Sequence, residues 1–471
     1  MNPATSKTTR PDYTGELVEF LHALRPQNLP DKVLDRARYF LLDYLAVTVR
    51  GSREESARCV QRMVRRVTQA AVPSATNCAA VVGTPIRTLP VYAALANGTA
   101  AHGIEHDDTH SGGSIHLGAT MYSAALALSE IKPDTSSETF FTAVVAGYEA
   151  AARLAMALQA KEHYALGFHP TPTCGVFGAA ITASKLLELT AEQTLAAMGI
   201  AGSMAAGSME FLAEGAWTKR IHPGLAARNG IEAALLAAEG VTGPRHILEG
   251  RDGFLYAYSR HPVAERLTER LGDDYEILQT GVKPHACCRY MQGPIDAILA
   301  LVRKHAIQPR QIHAIEVAVL EAGWAIVAEP RRQKYHPQSV VDAQFSMPFG
   351  AAVAALHGAA GLDQFTLEQV RSPLVREMMG KVVLTKDLRL ESNFPREWPA
   401  RAAIQLTDGS RYETSIRFPK GDPENPLSWD EMTAKFRALA GAVLSPRQCD
   451  EVIRQVNGAR PAILPGLCSA A

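Results

Sequence analysis

The sequence predicts a mainly α-helical protein with a second, smaller α+β domain. Up to about residue 275 the chain is rich in Ala and Gly, poor in β-branched runs and helical in its apolar period. From Gln308 onward, several segments alternate apolar and polar residues as strands do. The segment that follows Trp429 returns to the helical pattern. We therefore expect the C-terminus to rejoin the first, helical domain.

Four segments of the first domain have the length and the period of long helices. They are DKVLDRARYFLLDYLAVTV from Asp31, LPVYAALANGTAAHG from Leu89, GATMYSAALALSEI from Gly118, and the stretch from Phe140 to Ala160. Asp31 is a candidate N-cap, and Gly51 is placed to end the first of these helices. Because Ala and Gly have small side chains, helices of this composition can pack closely.

The second domain combines predicted strands with predicted helices. The strands are IHAIEVAVL from Ile312, KVVLTKDLRL from Lys381 and ARAAIQLTDGSRYETSIRFP from Ala400, the last with an Asp408-Gly409 hairpin signal. Helical segments lie between them: VDAQFSMPFGAAVAALHG from Val341 and TLEQVRSPLVREMM from Thr366. This mixture predicts an α+β unit, followed by the helical segment WDEMTAKFRALAGAVLSPRQCDEVIRQV.

Charge and cysteine content exclude several classes of function. The 471 residues balance 48 Lys and Arg against 48 Asp and Glu, which argues against a general nucleic-acid binder. Glu149 and Arg153 interrupt the most apolar stretch, so we expect no membrane span. The N-terminus lacks the apolar run of a signal peptide. The cysteines form no CxxC pair, which favours a reducing cytoplasm; they are Cys59, Cys78, Cys174, Cys287, Cys288, Cys449 and Cys468.

The densest polar cluster lies in AHGIEHDDTHSGGSIHLGA. If the helix continued, His102, His106 and His110 would lie on one face, as in a metal site, although helical histidines at this spacing also occur without ligands. The glycine pair that follows His110 makes continuation as far as His116 unfavourable. The His106-Asp107 pair is also found in metal-dependent HD-type phosphohydrolases. Those enzymes need a further upstream histidine, and this sequence has none at a convincing spacing. We keep a phosphohydrolase as the alternative from another enzyme class.

Three later segments carry basic residues where loops meet helices, and such junctions favour anions. For each segment taken alone, a solvated basic loop is the favoured interpretation. Together they predict an anion site in the cleft between the domains. The residues are His169 in GFHPTPTCGVFGAA; Lys219, Arg220 and His222 in GAWTKRIHPGLAARNG; and Lys283, His285 and Arg289 in TGVKPHACCRYMQG.

In this order, the segments resemble the MmgE/PrpD family, which includes 2-methylcitrate dehydratase, cis-aconitate decarboxylase and iminodisuccinate epimerase. The similarity runs from LLDYLAVTVRGS through NGTAAHGIEHDDTHSGGSIHLGA and WTKRIHPGLAARNG to KPHACCRYMQGPIDA. The resemblance implies a large all-helical domain, residues 1–278 and 421–471, and an inserted α+β lid, residues 279–420. It also implies a homodimer and a small carboxylate substrate, with no cofactor, no metal and neither nucleic acid nor membrane as a partner.

The family motifs carry over to named positions of this sequence. The resemblance implies four catalytic residues, which are His116, His169, Lys219 and Lys283. It also implies that Glu105 and Thr109 lie at the substrate. We add to these substrate-binding candidates Asp108, which can orient or tune the bases, and the basic residues His222, His285 and Arg289 of the loop segments. Lysine and histidine suit proton transfer next to a carboxylate, because they move protons and stabilise enolate-like charge. We expect Lys219 and Lys283 to face each other across the cleft, and His116 and His169 to transfer the proton.

Departures from the family pattern bear on the reaction. Glu105 stands where the family often has Asp, and His106 stands where it often has an aromatic residue. The decarboxylase branch has a histidine where this chain has Cys288. We therefore predict dehydration of a 2-methylcitrate-like substrate as the first choice. Epimerisation of an imino- or aminodicarboxylate and decarboxylation of cis-aconitate are the alternatives, and a non-catalytic binding protein is the rival outside enzymes.

Overall fold

The computed structural model describes residues 11–68, 77–394 and 396–458. Cys468, counted above among the cysteines, lies outside the described residues. The described chain is mainly α-helical, and its strands are short except in one sheet. The predicted fold class is therefore confirmed.

In the described part of the chain, twelve α-helices precede residue 279, and together with the last two described helices they form what we call the helical region. They are α1 (Tyr13–Ala23), α2 (Asp31–Gly51), α3 (Glu55–Thr68), α4 (Pro90–His102), α5 (Gly118–Ser129), α6 (Ser137–Leu158), α7 (Ala160–Ala165), α8 (Pro170–Leu186), α9 (Ala191–Gly202), α10 (Phe211–Glu214), α11 (Thr218–Ala238) and α12 (Phe254–Tyr258). Three short strands lie among them: β1 (Ala79–Ala80), β2 (Arg87–Thr88) and β3 (Thr109–His110). The four predicted long helices are confirmed as α2, α4, α5 and α6.

The rest of the described chain begins with β4 (Thr280–Gly281) and then forms the α+β region, residues 289–416. Its elements are α13 (Arg289–Lys304), β5 (Ile312–Val319), α14 (Glu321–Val327), α15 (Arg331–Tyr335), α16 (Val340–Gln344), α17 (Met347–His357), α18 (Leu367–Arg371), α19 (Pro373–Gly380), β6 (Val382–Lys386), β7 (Ala400–Leu406) and β8 (Arg411–Ile416). The chain then returns to helix in α20 (Trp429–Ala440) and α21 (Pro446–Asn457).

Small residues allow the central helices to pack closely. A Cβ on Gly98 of α4 would lie 2.6 Å from the Cα of Gly224 in α11. A Cβ on Gly147 of α6 would lie 2.1 Å from Oγ1 of Thr182 in α8. The Ala- and Gly-rich composition thus serves close approach of helix backbones, as predicted.

Helix α6 is the one described helix that is long and apolar enough to span a membrane, and 94% of its most apolar window is buried inside the protein. Its two charged residues pair within the core, because Arg153 Nε donates to Glu149 Oε2 at 3.1 Å. Arg153 also donates to the backbone carbonyls of Glu269 and Asp274. These contacts are those of a core helix that holds the chain before β4 in place.

One four-stranded sheet organises the α+β region, in the order β6-β5-β7-β8. Strand β5 pairs in parallel with β6 and antiparallel with β7, and β8 pairs antiparallel with β7. The predicted hairpin is confirmed: Gly409 has φ +90° between β7 and β8. Helices α13 and α17 pack in a second hydrophobic core with the inner face of the sheet, separate from the core of the helical region.

Two local predictions in this region were wrong. The helix predicted from Val341 is interrupted, because Ser346 caps a new helix by accepting from the Phe349 N–H. The strand predicted from Lys381 ends at Lys386, and residues 388–393 form a 3-10 helix. Short capping residues override the apolar period at such breaks.

The C-terminal helices return to the helical region, as predicted. Trp429 of α20 contacts Tyr39 of α2 edge to face, with ring centroids 5.5 Å apart. Lys435 of α20 pairs with Asp43 of α2, Nζ to Oδ1 at 2.6 Å, and both side chains are buried. A buried pair of this kind fixes the relative position of the two helices.

The two connections between the helical and α+β regions run side by side. Strand β4 in the first connection pairs antiparallel with β3 of the helical region. Next to it, the Val282 N–H donates to the carbonyl of Gly421 in the second connection at 2.9 Å. Gly421 has φ +91°, and a Cβ there would lie 2.1 Å from the carbonyl oxygen of Val282. The crossing point therefore requires glycine.

Candidate functional site

The polar cluster is a folded loop and not a continued helix. Helix α4 ends at His102, so His102, His106 and His110 do not share a helical face, and that metal-site hypothesis is wrong. Glu105 adopts φ +55°, which turns the chain directly after the helix. The loop then forms β3 and bridges His110 to Ile115. This turn brings buried side chains that are separate in sequence to one place.

A chain of buried polar contacts starts from this loop. His102 Nδ1 lies 2.7 Å from Asp107 Oδ2, and its Nε2 lies 2.8 Å from Lys219 Nζ. Lys219 Nζ also donates to Glu105 Oε1. An ammonium group on Lys219 makes His102 Nε2 the acceptor, so the Nδ1 proton of His102 faces Asp107. Two of the three ammonium protons of Lys219 are thereby occupied.

Glu105 lies between two lysines that come from different parts of the chain. Lys219 belongs to the first turn of α11, and Lys283 lies in the connection after β4. Lys283 Nζ is 3.4 Å from Glu105 Oε2 and 3.2 Å from the Glu105 carbonyl. The two lysines therefore meet at one carboxylate.

Burial and charge act against each other in this group. Burial alone raises the pKa of Glu105, but Lys219 and Lys283 hold it well below its usual value. Burial lowers the pKa of Lys219 despite Glu105 beside it. For Lys283, burial is outweighed by Glu105 and Asp107, which raise the pKa. The site thus holds Lys283 firmly charged, next to Lys219, whose ammonium form is less favoured.

The His116 ring is held by its own loop. Its Nδ1 lies 2.8 Å from the Asp108 carbonyl and 3.2 Å from Thr109 Oγ1. Since a carbonyl only accepts, Nδ1 carries the proton and Nε2 keeps its lone pair in the neutral ring. Burial lowers the pKa of His116 well below its usual value, against the effect of Asp107. This geometry makes Nε2 of His116 a proton acceptor.

His169 and His222 form a pair of imidazoles, with their Nδ1 atoms 3.0 Å apart. His169 is the N-cap of α8, which begins at Pro170, earlier than the prolines of this segment indicate. His222 lies inside α11, which runs through Pro223, so the predicted chain break at that proline was wrong. Burial lowers the pKa of His222 to about 3, and burial together with His222 lowers that of His169. Both rings are therefore neutral, and one Nδ1 donates to the other.

These groups surround a small cavity between the helical and α+β regions, with a volume of about 30 Å³. Its walls are Glu105, Thr109, Ser114, His116, Tyr164, His169, Met209, Phe211 and Lys219 from the helical region, and Cys288, Arg289, Tyr290, Ile326 and Phe345 from the other side. The imidazoles lie close together, with ring centroids of His102 and His116 4.7 Å apart and those of His116 and His169 6.4 Å apart. Proton-transfer groups and cations thus converge on one enclosed space.

Comparison with known proteins identifies the family. The model of the MmgE/PrpD N-terminal domain matches residues 15–266, and that of the MmgE/PrpD C-terminal domain matches residues 285–458. The chain belongs to the MmgE/PrpD family. This confirms the resemblance read from the motifs, and it favours the family's lyases and isomerases over the phosphohydrolase alternative.

Three curated relatives are similar to this MmgE/PrpD chain over nearly its whole length. A cis-aconitate decarboxylase-like protein of Aspergillus oryzae is 29% identical, covering 96% of this chain and 95% of the relative. A cis-aconitate decarboxylase of Aspergillus terreus is 27% identical over 94% of this chain and 92% of its own length. The Homo sapiens cis-aconitate decarboxylase is 28% identical over 94% of this chain and 91% of its own length.

Some predicted substrate-binding residues of this MmgE/PrpD chain do not line the cavity. Asp108 Oδ1 accepts from the Gly118 N–H at 2.9 Å, and Oδ2 accepts from the Tyr148 hydroxyl at 2.7 Å. His285 Nε2 is bound to Asp296 Oδ1 at 2.9 Å. Together with His222, which contacts His169, these side chains are occupied within the protein. Substrate binding by Asp108, His222 and His285 stays a prediction, and in this structure the three side chains lie outside the cavity wall.

Other predicted residues of this MmgE/PrpD chain do lie at the cavity. Arg289 lines it and pairs with Asp422, with Nη2 at 2.5 Å from Oδ1. Thr109 lines it and contacts the His116 ring. Glu105 is placed between the two lysines, which suits a charge-balancing group. Six of the ten predicted site residues line the cavity, which are Glu105, Thr109, His116, His169, Lys219 and Arg289. Lys283 lies behind this wall and contacts Glu105.

Sequence reasoning missed two kinds of group. His102 and Asp107 were weighed only as metal ligands, yet His102 connects Asp107 to Lys219. Phe345 was read only as part of a helix, yet Lys219 Nζ lies 5.3 Å from the centre of its ring. For His102 and Asp107, a signal was available in the sequence: His102 and Glu105 lie close together around the end of a helix. Phe345 gave no signal, because it is distant in sequence.

A second set of potential metal ligands emerges from the geometry. Ligand atoms of His102, Asp107 and His116 lie within 4.8 Å of one another and are buried. Two lysines already contact this set, since Lys219 Nζ is 2.8 Å from His102 Nε2 and Lys283 Nζ is 3.9 Å from Asp107 Oδ1. Ammonium groups at these positions repel a divalent cation. Metal-independent activity stays a prediction, which chelation tests.

Proposed function

We propose that this chain is a cofactor-free lyase that decarboxylates a small unsaturated tricarboxylate of the cis-aconitate type. Family membership and the names of the curated relatives support this reaction class. The observation that carries the proposal is that Lys219, His116 and His169 line one buried cavity from three separate segments, with Lys283 from a fourth segment in contact with Glu105 of its wall. We also propose the homodimer and the cytoplasmic location that the sequence predicted.

The proposed reaction requires a proton donor and cations, and no redox group. The bond between a methylene carbon and its carboxylate breaks, and CO₂ leaves. The released electron pair forms a new double bond to that methylene carbon. The electrons of the old double bond shift to the carbon next to another carboxylate, and this carbon takes one proton. Negative charge of the enolate type develops there, so preorganised cations lower the barrier.

The cavity residues suit these steps. Lys219 and Lys283 are the cations for the carboxylates, with Glu105 balancing their charge before substrate enters. His169 is the proposed proton donor, because the carboxylates of a bound substrate favour the imidazolium form that burial alone disfavours, and its Nδ1 then donates to His222 Nδ1. His116 Nε2, which has a lone pair in the neutral ring, is the proposed acceptor through which solvent returns one proton to the site after each turnover. Exclusion of water strengthens each of these contacts.

Dehydration of a 2-methylcitrate-like substrate is the second candidate, and Cys288 favours it. This thiol lines the cavity at the position where the decarboxylase branch has a histidine, and burial raises the pKa of Cys288. A thiol with a raised pKa is a weak acid, and it is therefore a poor proton donor for the decarboxylation. In the dehydration, a base removes the proton next to a carboxylate, and the hydroxyl leaves with a proton as water.

One assay separates the two candidates. Purified full-length protein is incubated in deuterated water with cis-aconitate, 2-methylcitrate, citrate or iminodisuccinate, and products are followed by NMR together with CO₂ release. We expect CO₂ from cis-aconitate and one deuterium in the new methylene group of the product. Water loss from 2-methylcitrate without CO₂ from cis-aconitate selects the second candidate. Dependence of either activity on a divalent ion after chelation would contradict the metal-free proposal.

A further inference from the structure

The cavity has little free space for the proposed substrate, with a volume of about 30 Å³. A larger cleft of about 580 Å³ lies beside it and opens to solvent between the helical and α+β regions. Ser114 lines both spaces. The cleft is therefore an adjoining route by which substrate can reach the cavity, through the wall between the two spaces.

An ion pair forms this wall. Arg289 lines the cavity, whereas Asp422 lines the cleft. Arg289 Nη2 lies 2.5 Å from Asp422 Oδ1 and 2.7 Å from Oδ2, and it contacts Ser111 Oγ at 3.3 Å. The guanidinium lies over the Trp398 ring, 4.4 Å from its centre. Arg289 thus joins the α+β region, the second connection and the loop that carries His116.

The position of Asp422 ties this pair to the junction of the two regions. Asp422 follows Gly421, whose carbonyl accepts from the Val282 N–H beside Lys283. Both side chains are buried, with 7% and 5% exposure for Arg289 and Asp422. A buried guanidinium needs a carboxylate, and an unpaired one is strongly unfavourable. Asp422 meets that need while the cavity holds no substrate.

A substrate carboxylate is the same chemical group as the side chain of Asp422. All hydrogen bonds that the structure gives the Arg289 side chain use Nη2, so its Nε and Nη1 protons remain for another acceptor. A carboxylate that arrives from the cleft meets this guanidinium first. Asp422 is held by Nη2 alone, whereas a two-bond contact between a carboxylate and the guanidinium uses Nη2 together with Nε or Nη1, so a substrate bound in this way competes with Asp422 for Nη2.

Resting on the proposed carboxylate substrate, we propose that Arg289 and Asp422 form a gate in which Arg289 exchanges Asp422 for a substrate carboxylate. Asp422 is then an internal competitor that keeps the cavity closed when empty. Because of this competition, the apparent Kd equals the intrinsic Kd divided by the fraction of molecules in which Arg289 is free of Asp422. Removing the charge of Asp422 should therefore tighten substrate binding, whereas removing Arg289 should weaken it.

Binding of tricarballylate, a saturated tricarboxylate that neither loses CO₂ by the allylic route nor dehydrates, tests the gate without turnover. Calorimetry is performed on the full chain and on D422N, D422E, R289M and the double variant. We expect D422N to lower Kd about tenfold, D422E to leave it near the parent value, and R289M to raise it at least tenfold. In the R289M background, D422N should have no effect. D43N, which breaks a buried pair outside the cavity, is the matched control and should leave Kd unchanged.

Folded D422N that binds tricarballylate as the parent does, or more weakly, would overturn the gate. If D422N does not fold, hydrogen exchange of the parent decides: bound tricarballylate should speed exchange in residues 419–426, and unchanged or slower exchange there overturns the proposal. The proposed function fails separately, when tricarballylate binds with the expected Kd pattern but neither cis-aconitate nor 2-methylcitrate is turned over.

Discussion

The two sides of the cavity differ in chemistry. The helical side carries almost all the ionisable groups, including Glu105, His116, His169 and Lys219, and each is bound to another side chain or to the backbone. The α+β side contributes mostly apolar or neutral surfaces, with Arg289 as its cation. Proton transfer and charge stabilisation therefore belong to the helical side. The α+β side shapes the space and, through Arg289, meets the substrate carboxylate.

The difference separates reaction chemistry from substrate choice. Groups that move protons need fixed geometry, and the helical side supplies it through contacts such as His102 between Asp107 and Lys219. Groups that select the substrate need only shape and a charge of the correct sign. We therefore expect changes on the helical side to reduce turnover, and changes on the α+β side to alter affinity or product.

The largest effect is expected for Lys219→Ala. This change removes a cation that contacts Glu105 and His102, so kcat should fall about 100- to 1000-fold. Steady-state assays on the substrate identified above measure it. Lys185→Ala is the matched control, because this partly buried lysine donates to backbone carbonyls of Leu21, His22 and Leu24, outside the cavity wall, and its loss should leave kcat unchanged. Equal losses in both variants would refute the division between the two sides.

A slightly smaller loss is expected for the two histidines. His116→Asn and His169→Asn should each lower kcat about 100-fold, because each removes a proton-transfer group. The rate at which deuterium enters the product, followed by NMR in deuterated water, measures that step for the decarboxylation, and exchange of the substrate α-proton measures it for the dehydration. If both variants are folded and transfer the proton at the parent rate, neither histidine is the proton-transfer group, and Lys219 becomes the better candidate.

Cys288→His tests the α+β side. Burial raises the pKa of the Cys288 thiol, whereas a histidine there can donate a proton as an imidazolium. The ratio of CO₂ release to water release should therefore rise about tenfold. Parallel CO₂ and NMR assays give the ratio. Cys174→Ser, a change at another buried cysteine outside the cavity wall, serves as the control. An unchanged ratio would mean that the α+β side does not decide the reaction.

The smallest effect on turnover is expected for Asp108→Asn, which should alter stability instead. Burial raises the pKa of Asp108 to about 8, against the hydrogen bond from Tyr148. The folded protein then binds a proton that the unfolded chain releases near pH 4, so this residue lowers stability as pH rises from about 4 to about 8. Between pH 5 and pH 8, the free energy of unfolding measured with urea should fall less in the variant than in the parent. A parent-like loss in the variant would contradict the assignment.

Adjacent residues show where sequence reasoning stops. Asp107 and Asp108 are adjacent carboxylates of one loop, yet Asp107 contacts His102 whereas Asp108 binds the Gly118 N–H and Tyr148. Burial raises the pKa of Asp108, and His102 and His116 overcome burial to lower that of Asp107. The contrast arises because the two neighbouring side chains point in opposite directions from the loop. No pattern of residue types predicts it.

The sequence by itself determined the long helices, the strands of the sheet, the return of the C-terminus and the identity of the family, because apolar period and motif order are local properties. It also identified the residues that converge on the cavity. Only the tertiary structure decided that Lys219 and Lys283 meet at Glu105, that His116 holds its proton on Nδ1, and that Asp422 closes the wall through Arg289. These facts depend on contacts between residues distant in the chain, whose distances and burial no local pattern encodes.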